Sequence, residues 1–150
     1  MSHFNHQIRS LLVFSIIALL TLGSFSTAFA ENDKHHKLVI QVSTNDPLTQ
    51  KIALNNAVNL QKHYGMDNVD IEIVAYGPGL GLMTKKSKEA GRVKSLAMQN
   101  ITFSACGNTM KKVEKKTGKK PVLTEGVGMV QAGVVRILEL QEEGYAYLRP

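Results

Sequence analysis

The sequence has a single cysteine, Cys106, in 150 residues. No internal disulfide can form, which excludes a small domain held together by cross-links. Three roles remain for Cys106: a pairing partner for another chain, a reactive thiol, or a buried bystander. Neither CxxC nor HExxH occurs, so no pattern calls for a zinc ion and no metal site is expected. The glycine-rich stretch Gly77-Pro78-Gly79-Leu80-Gly81 lacks both the GxGxxG spacing and the lysine of a phosphate-binding loop. A membrane span is also missing. The most apolar stretch, LLVFSIIALLTL at Leu11 to Leu22, falls short of the roughly 20 apolar residues that cross a bilayer. There are no internal repeats and no low-complexity linker.

What stands around that apolar stretch gives it another meaning. It follows a polar opening whose only fixed charge is Arg9, and it leads to Ala28-Phe29-Ala30. Charged, apolar and A-x-A segments in that order form a secretory signal peptide, residues 1–30. An uncleaved anchor is the competing reading, and the short run and well-placed A-x-A weigh against it. Cleavage leaves Glu31 to Pro150, in which 31–36 is a polar lead-in and 37–150 one domain. The expected location is the periplasm, without stable membrane insertion after cleavage. Arg9 is the one basic residue lost, so 18 Lys and Arg against 12 Asp and Glu become a net excess of five. A basic chain often binds nucleic acid. Export makes nucleic acid an unsuitable partner and favours small anions or acidic proteins.

Strand and helix signals alternate along the domain. KLVIQVS (Lys37 to Ser43), VDIEIVAY (Val69 to Tyr76), ITFSAC (Ile101 to Cys106), Val127 to Gln131 and Tyr145 to Leu148 read as strands. Asp46-Pro47 opens a helix that runs to Tyr64, and Gly65 ends it. Further helices are expected at Lys85 to Met98, Gly107 to Gly118 and Ala132 to Glu143, with a glycine-rich loop at Gly77 to Gly81. This alternation predicts an α/β fold with a mostly parallel sheet of about five strands, covered on both faces. Sites in such sheets lie at the carboxyl ends of strands.

Cys106 lies at such an end, where Gly107, Asn108 and Thr109 begin a helix. The free N–H groups of a helix start stabilise a thiolate and lower its pKa. Position alone also allows a buried structural cysteine. His35 and His36 fall in a tail expected to be mobile, and His63 near the end of the first helix, so no thiol–imidazole pair is expected. Gly77, Gly79 and Gly81 could cradle an anion, or simply allow a tight turn. Lys111, Lys112, Lys115, Lys116, Lys119 and Lys120 recur along one side of a helix, as a solvated face or an electropositive docking face.

Four segments taken in order resemble the DsrE/DsrF-like family: ALNNAVNLQKHYG (Ala53 to Gly65), IEIVAYGPGL (Ile71 to Leu80), ITFSACGNTM (Ile101 to Met110) and GVVRILELQEEGYAYLRP (Gly133 to Pro150). The resemblance implies a three-layer α/β/α domain that forms oligomers and carries sulfur as a persulfide on one cysteine. Cys106 occupies the strand-to-helix position of that cysteine. The expected function is then sulfur handling, as a carrier or sulfurtransferase without cofactor. Cys106 would bear the sulfur, Gly107, Asn108 and Thr109 would steady its charge, and Gly77, Gly79, Gly81, Lys111 and Lys112 would hold an anion or a partner. The expected partners are a second copy of the chain, a sulfur donor or acceptor protein, and a small sulfur anion. A non-catalytic ligand-binding or assembly module of the cell envelope is the alternative.

Overall fold

The computed structural model describes residues 35–150, so the expected signal peptide and most of the lead-in lie outside the described residues. Five short runs form one sheet: β1 (His36–Val42), β2 (Val69–Ala75), β3 (Ile101–Cys106), β4 (Val127–Val130) and β5 (Ala146–Leu148). The strand order is β4-β3-β2-β1-β5, and every neighbouring pair is parallel. Between the strands come α1 (Pro47–Tyr64), a 3-10 helix (Gly77–Met83), α2 (Ala90–Ala97), α3 (Gly107–Thr117) and α4 (Gly133–Glu142). This is the expected α/β fold of three layers. Among the described residues, no helix is long and apolar enough to cross a membrane.

Strand order decides which face each helix covers. From β1 to β4 the chain steps one strand at a time in one direction. Right-handed crossovers then put α1, the 3-10 helix, α2 and α3 on a single face. From β4 the chain returns to the far edge, beside β1, so α4 covers the other face. Side chains alternate accordingly. Ile40, Val42, Ile71, Ile73, Ile101, Phe103 and Ala105 meet Ala53, Leu54 and Ala57 of α1, with Val93 and Leu96 of α2, in the main core. The opposite face has a small core, Val39 and Val74 under Ile137 and Leu140 of α4. Beside it the sheet shows polar groups: Gln41, Glu72 and Ser104 are buried there.

Local chemistry sets the helix ends. Asp46 accepts hydrogen bonds from the N–H and hydroxyl of Thr49, both at 2.7 Å, and Pro47 opens α1. Those bonds hold the Asp46 carboxyl below its ordinary pKa. Gly65 ends α1 at φ +87°.

Three expectations need correction. The Gly77 to Gly81 segment is wound into a 3-10 helix, because Leu80, Leu82 and Met83 are drawn into the main core. The helix expected from Lys85 covers only Ala90–Ala97. Thr84 instead bridges Leu123, the Lys85 N–H bonds the Val122 carbonyl at 2.9 Å, and Ser87 bonds the Glu89 N–H, so these donors are satisfied outside a helix. Nor are His35 and His36 a loose tail. His36 begins β1 and stacks on Tyr64, and His35 lies 2.9 Å from Asp70.

Candidate functional site

The crossover pattern opens the sheet at one place. The chain leaving β3 enters α3 on one face, and the chain leaving its neighbour β4 enters α4 on the other. Where adjacent strands send their helices to opposite faces, a crevice forms at their carboxyl ends. Cys106 is the last residue of β3, paired in register with Val130 of β4, so it stands in that crevice. It is only 5 % exposed. Its neighbours crowd in closely. A Cβ on Gly107 would lie 3.0 Å from the Val130 carbonyl oxygen, and one on Gly133 would lie 3.1 Å from the Tyr76 ring and 3.4 Å from the Cys106 Cβ. Glycine at 133 is what lets the start of α4 reach the cysteine.

Two helix N-termini therefore converge on one sulfur. Burial is the largest influence on the thiol and pushes its pKa up. Donors outweigh it: the Thr109 hydroxyl and the N–H groups of Gly133, Thr109 and Asn108 together hold the thiol below its ordinary value. The Asn108 N–H donates to the Gln131 carbonyl oxygen, 3.1 Å away. The Thr109 side chain is oriented by a bond of its own. Its oxygen accepts the Gly77 N–H at 3.0 Å, and a hydroxyl that accepts in this way still has its proton to donate.

The predicted residues are thus partly gathered and partly dispersed. Cys106, Gly107, Asn108 and Thr109 lie together, and Gly77 joins them through Thr109. Gly79 is buried against β1, where a Cβ would lie 2.1 Å from the Val42 carbonyl oxygen, so its smallness serves packing. Gly81 has open space around it. Lys111 and Lys112 are exposed on α3, and neither is among the influences on the thiol. Lys111 does border a groove of about 350 Å³ beside Gly107, with Lys120, Met129 and Gln131. All three described histidines lie at the other end of the sheet, by the start of β1 and the end of α1.

Sequence reasoning missed two features. One is Gly133, whose approach depends on a strand order that no local pattern encodes. The other is a buried polar cluster on the same face as Cys106. Glu72 is 4 % exposed. It accepts Ser104 Oγ at 2.6 Å, Arg136 Nε at 3.0 Å and Arg136 Nη2 at 2.8 Å. Glu72 holds the Arg136 guanidinium charged, well above its ordinary value. The only sequence signal was a glutamate inside the apolar run of β2, at a position facing the α4 side. A cleft of about 600 Å³ lies alongside, lined by Glu72, Thr102, Ser104, Gln131, Arg136 and Glu139 among others.

No curated protein matches the chain. Among solved structures, it is similar to a protein of unknown function from Methanobacterium thermoautotrophicum, with 32% identity and a TM-score of 0.69 over 77% of this chain and 99% of that one. The DsrE/DsrF-like family profile matches residues 36–150, all five strands and the cysteine crevice included. With its parallel sheet and strand-end thiol inside that match, the chain belongs to the DsrE/DsrF-like family, which is linked to sulfur relay.

Proposed function

We propose that the chain is a periplasmic sulfur carrier, holding sulfane sulfur as a persulfide on Cys106. The observation that carries this reading is the convergence of α3 and α4 on a thiol whose donors favour its anionic form. A thiolate is the nucleophile that takes up sulfane sulfur. With a thiosulfate-like donor, Cys106 thiolate attacks the outer sulfur, a new S–S bond forms, the donor's S–S bond breaks, and sulfite leaves with that electron pair. With a persulfide donor the leaving group is the donor's thiolate. Transfer onward reverses these steps on an acceptor, and no oxidant or cofactor is consumed.

The surroundings divide the work. On the α3 side, the Lys111 and Lys120 groove suits a small sulfur anion. On the α4 side, Val134, Val135 and Leu138 are exposed apolar residues, the surface on which a second copy of the chain or a sulfur-transfer partner would dock. Periplasmic placement rests on the segment 1–30, and N-terminal sequencing of the native protein should begin at Glu31.

One observation favours a second reading, a ligand-binding or assembly module with an inert cysteine: Cys106 is 5 % exposed. Cyanolysis separates the two. After incubation with polysulfide and desalting, cyanide should release about one thiocyanate per chain, and none from Cys106→Ser. Equal release from both proteins, or none from either, would leave the binding module as the account.

A further inference from the structure

The two helices that meet at Cys106 are held there in different ways. Gly107 of α3 is bonded directly to the cysteine, so α3 cannot drift from it. Gly133 of α4 follows from β4 and is kept beside the cysteine by packing and by the Asn108 N–H bond to the Gln131 carbonyl, 3.1 Å, two residues before it. That packing is thin. Among the described residues the α4 face has a core of four buried apolar residues, against 18 on the other face. The tie from the body of α4 to the sheet is ionic.

We propose that the Glu72–Arg136 pair positions the thiol's surroundings, locking the first turn of α4 so that Gly133 stays against Cys106; this rests on Cys106 being the reactive sulfur. Arg136 lies three residues after Gly133, on the neighbouring turn. Its Nε and Nη2 reach the two carboxylate oxygens of Glu72, at 3.0 and 2.8 Å. A two-point fork fixes rotation as well as distance, which a single point charge does not. Glu72 is itself immobilised by the Ser104 hydroxyl. Ser104 lies two residues before Cys106, on the same side of β3. Gly133, Arg136, Glu72, Ser104 and Cys106 thereby form a closed circuit of contacts. Little slack exists in it, since a Cβ at 133 would already press on Tyr76 at 3.1 Å. The other charged groups around the guanidinium are Glu139 of α4 and Glu143 just after it, at 3.7 and 3.3 Å, both exposed and unable to tie it to the sheet. Asp70, Tyr145, Lys37 and Tyr76 are further titratable groups of this neighbourhood, with Lys37 Nζ 3.4 Å from the Glu143 carbonyl oxygen and Tyr76 packed against Gly133.

The sign of one substitution distinguishes positioning from simple electrostatics. Glu72→Gln removes a negative charge, which through space would lower the thiol's titration midpoint. A loosened α4 would raise it. Arg136→Lys keeps the charge and loses the fork, so electrostatics alone leaves the midpoint where it was. The experiment is iodoacetamide alkylation of Cys106 in the folded full chain across about pH 5 to 10. Both variants should shift the midpoint upward and alkylate about three- to tenfold more slowly below it, the worth of one ordinary hydrogen bond. Val93→Ala, in α2 of the main core, should lose comparable stability yet keep the wild-type midpoint. A midpoint that falls or stays unchanged in Glu72→Gln overturns the proposal. Should that variant not fold, an unchanged midpoint in Arg136→Lys overturns it equally, as does a Val93→Ala midpoint that moves as far. Sulfur loading is not the readout. A chain that titrates as described but releases no thiocyanate would therefore sink the carrier reading and not the positioning role.

Discussion

Replacing Thr109 by valine removes one hydroxyl and keeps the side chain's shape. One bond goes with it, the acceptor for the Gly77 N–H at 3.0 Å, and so does the hydroxyl that helps hold the Cys106 thiol below its ordinary value. Leaving a buried N–H without a partner costs about 1–3 kcal/mol. Gly77 is only half-buried and water can reach it, so the low end applies, about 1 kcal/mol. For a domain of this size that lowers Tm by about 4 °C. The lost donor to sulfur should slow alkylation below the midpoint by about two- to tenfold, the range for one hydrogen bond. Thr109→Ser keeps both groups and should behave as wild type in both assays. The two readouts are thermal denaturation and a pH series of iodoacetamide alkylation. A valine variant that alkylates like wild type at every pH would refute the assignment of the Thr109 proton to sulfur.

Other consequences follow from the same geometry. In Gly79→Ala the new Cβ would lie 2.1 Å from the Val42 carbonyl oxygen, so the end of β1 must shift, at about 1–3 kcal/mol or more in a urea titration. Gly81→Ala meets open space and should be close to neutral, and equal tolerance at both positions would contradict the packing role of Gly79. The Cys106 thiol sits below its ordinary 9.0 when folded, so between the two values the unfolded chain binds more protons than the folded one. Stability relative to Cys106→Ser should accordingly rise with pH through that window, level off above it, and vanish below the folded midpoint; a difference that shrinks as pH rises would reverse the sign. Lys111→Gln with Lys120→Gln should slow loading from thiosulfate while leaving the alkylation midpoint unmoved, because exposed charges act weakly through water. A moved midpoint would assign those lysines to the thiolate itself.

Much of the fold was legible because its signals are local. Asp46-Pro47 and Gly65 bracket α1 at the residues observed, and the β-branched run Ile101 to Cys106 is β3 as read. The strand-to-helix junction at Cys106 followed from that run and the glycine after it. Where reading failed, a distant contact had overridden a local preference. Lys85 to Glu89 looks helical alone, yet Val122 and Leu123 pull Thr84 and Lys85 into a bridge. The glycine-rich segment looks like a ligand loop, yet its leucines and methionine fill the core. The site was half legible for the same reason. Donors from Asn108 and Thr109 are neighbours in the chain, whereas Gly133 and the Glu72–Arg136 pair come from other elements. Their convergence depends on β4 sending the chain back across the sheet, a property of topology with no short-range trace.

The central claim is that Cys106 carries sulfur. The most direct measurement is the intact mass of the native protein, isolated without reductant from its own cells. The account predicts a population heavier by about 32 Da, one sulfur atom, which reductant removes and Cys106→Ser lacks. An unmodified mass alone, unchanged after incubation with polysulfide, would contradict it.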